Sequence, residues 1–109
     1  MSINSIIRTA VLPIVPICEP HLYDGTATEY CTFNYTRYPD DFADDSPRAI
    51  GHSVQLHYCL PLNQNPNTKL NQLADALFAA GFVYPNIVDA TDDVGQHYVL
   101  ETEYTEVRA

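Results

Sequence analysis

His57 and Cys59 stand two residues apart, so on a β-strand both side chains point to one face, and His97 can reach the same face from a neighbouring strand. Imidazole and thiolate are ligands that zinc takes readily. Zinc sites usually show tight paired spacings, however, and Cys18 and Cys31 complete none. The plainer reading is of half-exposed strand residues facing a neighbouring subunit, with no metal and no other cofactor. Nucleophilic catalysis needs a Ser or Cys beside an oriented His; the chain has no GxSxG sequence and no Gly-rich phosphate loop. Glu101 and Glu103 share a strand face as a carboxylate pair, but a glycosidase also needs a cleft that one thin sheet seldom supplies. Neither a catalytic residue nor enzyme activity is expected.

Asp40, Asp41, Asp44 and Asp45 crowd residues 38–48 together with two prolines. A calcium loop wants oxygen ligands at its first, third and fifth positions and Gly at the sixth. Counted from Asp40, the third position is Phe42 and the sixth Asp45; counted from Asp89, Val94 stands where Gly belongs and Leu100 where the closing Glu belongs. Both stretches therefore read as solvated acidic loops that wait for a partner. Asp40, Asp41, Phe42, Asp44 and Asp45 become candidate interface residues, with Val99, Glu101 and Glu103 on the last strand.

The elements that must position these residues follow from a chain of 109 residues, 46% hydrophobic, with 14 acidic against 5 basic residues and a net charge of −9. A chain of this size buries roughly two-thirds of its unfolded surface, which suits one soluble domain and not two. The longest apolar run, around Ile14–Cys18, is interrupted by prolines and is far shorter than the roughly 20 residues of a membrane span. Residues 1–5 carry no cluster of positive charge, so no secretory signal is expected. Three Cys, an odd number without CxxC spacing, argue for reduced thiols in a cytosolic setting. Arg8, Arg37, Arg48, Lys69 and Arg108 are scattered singly, too sparse to displace many counterions from a phosphate backbone, so tight nucleic-acid binding is not expected.

Ile3, Ile6, Ile7, Ala10 and Val11 recur at helical spacing behind Ser2, a candidate N-cap, and stop before Pro13. Residues 13–26 read as an extended, proline-rich arm. From Thr28 the period becomes two, with Cys31, Phe33 and Tyr35 on one side. Residues 51–60 form a second strand with Val54, Leu56, Tyr58 and Leu60 inward. Between them, 38–48 reads as an irregular loop. Leu70, Leu73, Ala74, Leu77 and Phe78 mark an amphipathic helix between Asn67 as N-cap and Gly81 just past its end. Residues 82–90 read as a strand, 92–95 as a tight turn, and 96–107 as a last strand with Tyr98, Leu100, Thr102 and Tyr104 inward. The expected fold is α+β in the order α-β-β-α-β-β: a four-stranded, mostly antiparallel sheet with both helices on one face. Its other face and its two edges call for partners.

In this order and spacing the chain resembles the tail terminator, or tail completion, proteins of long-tailed bacteriophages. The resemblance rests on the arm 12–23, on YCTFNY (Tyr30–Tyr35) followed by FADD (Phe42–Asp45), on HSVQLHYCLP (His52–Pro61), on the helix ending LFAAGF (Leu77–Phe82), and on HYVLETEYTE (His97–Glu106). It implies a structural virion protein that forms a homohexameric ring on the head-proximal end of the tail tube, halts tube polymerisation and joins tail to head. The implied partners are further copies of itself, the tail tube protein and a head-completion or connector protein, with DNA passing through the ring and no membrane contact. Assembly in the host cytoplasm and residence in the virion follow. The alternatives are another minor tail or head-completion protein of similar size, and a small cytosolic ligand- or metal-binding domain using His57, Cys59 and His97.

Overall fold

The structure, a computed structural model, describes residues 2–43 and 46–107, with the backbone alone at 41–43 and 46–48. Helix α1 spans Ile3–Val11, strand β1 Cys18–Pro20, β2 Tyr30–Ala43 and β3 Ser46–Leu60; α2 spans Asn67–Ala79, β4 Asn86–Asp89 and β5 Gln96–Val107. The five strands lie in one sheet in the order β1-β2-β3-β5-β4. The fold is α+β, and five of the six expected elements stand where periodicity put them, β2 and β3 running on beyond their expected ends.

Ser2 caps α1 as expected: its hydroxyl accepts the Ser5 N–H at 3.2 Å, satisfying one of the helix's free donors. Ile3, Ile7 and Val11, four residues apart, are buried. Helix α2 buries Leu70, Leu73, Ala74 and Leu77 on the same side of the sheet, and α1 and α2 pack against each other. Asn67 is not the cap of α2; it is the first helical residue, Pro66 holds the cap position without a side-chain bond, and Asn65 Oδ1 accepts the Asn67 N–H at 3.0 Å. The end of α2 is a Schellman turn. Gly81 has φ +100°, the Phe82 N–H bonds to Leu77 O at 3.0 Å, and buried Phe82 packs below. Phe78, placed inward by its spacing, is instead 60% exposed and meets Tyr84 edge-on at 5.8 Å.

The sheet corrects the expected four-stranded antiparallel arrangement to a five-stranded mixed one. The arm contributes β1, which lies parallel to β2 in the register Cys18↔Cys31 to Pro20↔Phe33. Burial of Cys18, Cys31 and Val15 draws this segment onto the core despite its prolines. Past Pro20 the arm turns sharply: the Leu22 N–H bonds to Pro20 O at 2.8 Å around His21, whose φ is 64°.

A second correction concerns the described parts of 38–48, residues 38–43 and 46–48, which are strand and not irregular loop. β2 and β3 continue through them as one long hairpin, paired as far as Ala43↔Ser46; Asp44 and Asp45 lie outside the described residues. Pro39 and Pro47 are tolerated because β1 ends opposite Phe33 and β5 ends opposite Ala49, so beyond those points β2 and β3 each have an open edge. The expected strand at 82–90 is shorter, 86–89, because Pro85 delays regular pairing. β5 runs over the expected 96–107, with Leu100 and Thr102 buried and Tyr98 and Tyr104 packed against the core.

Candidate functional site

Both helices cover one face of the sheet, so alternate residues of every strand point to the opposite, open face. The register sets them in rows: Asn34, Gln55, Glu101 and Asn86 form one, and Thr32, His57, Val99 and Val88 the next. The rows are tied by side-chain bonds. Asn34 Nδ2 donates to Gln55 Oε1 at 3.4 Å and Asn86 Nδ2 to Glu101 Oε1 at 3.3 Å. Further out, the Tyr38 ring lies across Gly51, where a Cβ would come within 2.2 Å of it, and its hydroxyl donates to Glu103 Oε1 at 3.3 Å. Glycine at 51 is thus what lets an aromatic side chain from β2 bridge β3 to reach β5.

His57 and His97 meet diagonally across β3 and β5. His57 Nδ1 lies 2.8 Å from His97 Nε2, and His57 Nε2 lies 3.0 Å from Asn34 Oδ1. The Asn34 carbonyl can only accept, so His57 carries its proton on Nε2 and His97 Nε2–H donates to Nδ1. Burial, and then the neighbouring His97, hold His57 below its ordinary value of 6.5. The two rings are thus linked by a direct hydrogen bond, with burial favouring the neutral form of His57. Cys59 stands opposite His97 and bonds to Tyr30, but burial raises its thiol above the ordinary range, away from the nucleophilic thiolate form. Among the described residues, no group of three or more His, Cys, Asp or Glu is placed to hold a metal ion.

These residues form the floor of a half-open cleft of about 780 Å³ at one end of the sheet. The arm at His21–Thr28 forms one wall, and the Asp92–Gly95 turn the other. That turn is built locally: Asp92 Oδ1 accepts the Val94 and Gly95 N–H groups at 3.0 and 3.2 Å. Exposed Leu22, Leu62 and Val94 rim the opening. Among the described residues, no helix is long and apolar enough to cross a membrane.

Of the residues singled out in the sequence, Val99, Glu101 and Glu103 lie together on the open face of β5, with Val99 half-buried and both glutamates exposed. Asp40 lies farther out on β2, exposed, opposite Ala49. Asp41 and Phe42 fall in the same outer part of β2, and Asp44 and Asp45 outside the described residues. The site is thus split between the open face and the outer hairpin. Sequence reasoning missed the Tyr38–Gly51–Glu103 bridge, since nothing in spacing says that a tyrosine will cross a glycine. It also missed the apolar surface at Phe78, Val83 and Tyr84, although the run FVYP beside an exposed strand carried a signal. Compared with models of known protein families and with curated proteins, the chain matches none. Fold and site together define a small α+β domain with one sheet face covered by helices, the other open and polar, and a hairpin reaching beyond the core.

Proposed function

We propose that the chain is a structural, non-catalytic virion protein: a tail terminator that forms a ring, six copies in this reading, on the head-proximal end of a phage tail tube, stops tube growth and joins tail to head. The observation that carries the reading is the outer hairpin. β2 and β3 run to 14 and 15 residues, and the molecule measures 54 × 25 × 24 Å. β2 and β3 run on past the ends of β1 and β5, and strand edges left unpaired in this way find their cover in another chain. The open face, with Glu101 and Glu103, and a net charge of −9 suit a ring through which DNA passes without adhering. Direct partners in this reading are further copies, the tail tube protein and the head connector.

The test is the mass of the purified chain by light scattering, followed by negative-stain imaging with and without tail tubes. A ring, or a monomer that caps tube ends, supports the reading; a monomer or dimer indifferent to tubes overturns it. A ligand-binding domain is the second reading, favoured by the cleft over His57 and His97. The variant His57→Ala separates the two, leaving assembly intact under the first and abolishing ligand binding under the second.

A further inference from the structure

The two edges of the sheet are unlike. β4 is exposed along its whole length, and no helix or proline within it blocks pairing. The Ala90 N–H bonds to His97 O at 2.7 Å, so in the alternation of an antiparallel ladder Asn86 and Val88 turn their backbone groups to β5, and Ile87 and Asp89 turn theirs outward. Around this edge lies an apolar patch: Phe78 at the end of α2 is 60% exposed, Val83 59%, Tyr84 52%, Val88 43% and Ile87 38%. Such a patch beside an unpaired strand marks an interaction surface.

At the opposite edge β1 covers β2 only as far as Phe33. The bonds from the Cys31 N–H to Ile17 O and from the His21 N–H to Phe33 O show that odd-numbered residues of β2 face this edge. Beyond β1, therefore, Tyr35 and Arg37 present free backbone groups, until Pro39 removes the donor. The strand senses are compatible, since β2, β3, β5 and β4 alternate in direction. Two copies standing side by side in the same orientation bring β4 of one antiparallel to β2 of the next. Charge agrees as well. Arg37 makes no ion pair among the described residues, and Asp89 occupies an outward position on the same, helix-bearing side of the sheet.

We propose that β4 of one copy pairs antiparallel with the free stretch of β2, Tyr35 to Arg37, in a second copy, with Asp89 opposite Tyr35 and Ile87 opposite Arg37, so that Arg37 lies diagonal to Asp89 on the same side of the sheet and the neighbour's hairpin covers the apolar patch. This rests on the ring reading above and names the contact that builds the ring. Each copy uses one edge as donor and the other as acceptor, a head-to-tail contact that closes only by rotation.

The test uses the full chain. In Ile87→Pro the lost N–H is one that only a partner needs, so the variant is expected to keep its far-ultraviolet circular dichroism and run as a monomer under conditions where the wild type is a ring. Arg37→Asp and Asp89→Arg are each expected to weaken assembly at least tenfold, and the double variant to restore it; this pair keeps the proposal testable if Ile87→Pro does not fold. If the wild type assembles only on tube ends, the same variants are scored by tube capping. An Ile87→Pro chain that still forms rings, or a charge swap without rescue, overturns this contact and leaves the ring reading standing. A wild-type dimer abolished by Ile87→Pro points to β4-on-β4 pairing and overturns it too. A wild type that neither forms rings nor caps tubes overturns both.

Discussion

Tyr58 is fully buried, yet its hydroxyl donates to Glu29 Oε2 at 2.6 Å, while Lys69 Nζ reaches Glu29 Oε1 at 2.7 Å. Burial alone works against ionisation of Glu29, but the bonds from Lys69 and Tyr58 outweigh it and hold the carboxyl below its usual range. This small network pins α2 to β3. Tyr58→Phe is expected to cost about 1.5–3 kcal/mol, the worth of a hydrogen bond to a charged acceptor, read by urea unfolding. His52 is the opposite case. It is 2% exposed between Tyr35 and Tyr104, and neither ring nitrogen has a hydrogen-bond partner. Burial holds it below its ordinary value of 6.5; Glu106, 3.9 Å away, opposes that shift, and Arg37 adds to it. A base with a lowered pKa in the fold takes up its proton more readily when unfolded, so stability is unaffected above about pH 7 and declines as pH falls below 6.5. His57 acts in the same direction. The melting temperature is expected to fall between pH 7 and 5, and His52→Phe, which keeps the aromatic packing, to flatten part of that slope; an unchanged slope would show that His52 is not the titrating group.

At the scale of elements, glycine decides where α2 stops. Gly81 has φ +100°, a conformation other residues adopt at a cost, and a Cβ there would meet nothing closer than Tyr104 Cε1 at 3.6 Å. Gly81→Ala is therefore expected to lose about 1–2 kcal/mol through the backbone alone, checked by denaturant unfolding against Ala80→Gly as a control for the last turn. The helices and the strands at 30–35, 51–60 and 96–107 were legible because a strict period of two or 3.6 puts one face in the core. β1 was not, because three residues between prolines carry no period and are held only by a neighbour reached in the fold. The outer hairpin departs from its local signal for the opposite reason: Asp and Pro argue for a loop, and pairing of β2 with β3 overrides that preference. For the site, strand alternation put His57 and His97 on a common face. The diagonal contact itself depends on register, which alternation does not fix. Phe78 fits the helical period but lies on the flank of the stripe that Leu70, Leu73, Ala74 and Leu77 bury, where it meets Tyr84 instead of the core.

For the molecule as a whole, shape follows from how unequally the strands are covered. The radius of gyration is 15.0 Å, against about 13 Å for a compact chain of this length. Small-angle scattering of the Ile87→Pro chain is expected to give a value near the larger figure; one near the smaller would mean that the outer hairpin folds back on the core. The same shape has a consequence for how the chain reaches its native state. β2 and β3 are neighbours in sequence and can zip together early, whereas β5 closes the much longer loop that holds α2 and β4 before it reaches β3. During that interval β3 offers an entire unpaired flank, with Val54, Leu56 and Tyr58 still uncovered, to any other chain nearby. The long hairpin is thus also the step at which folding competes with aggregation, and its refolding yield should fall steeply with protein concentration.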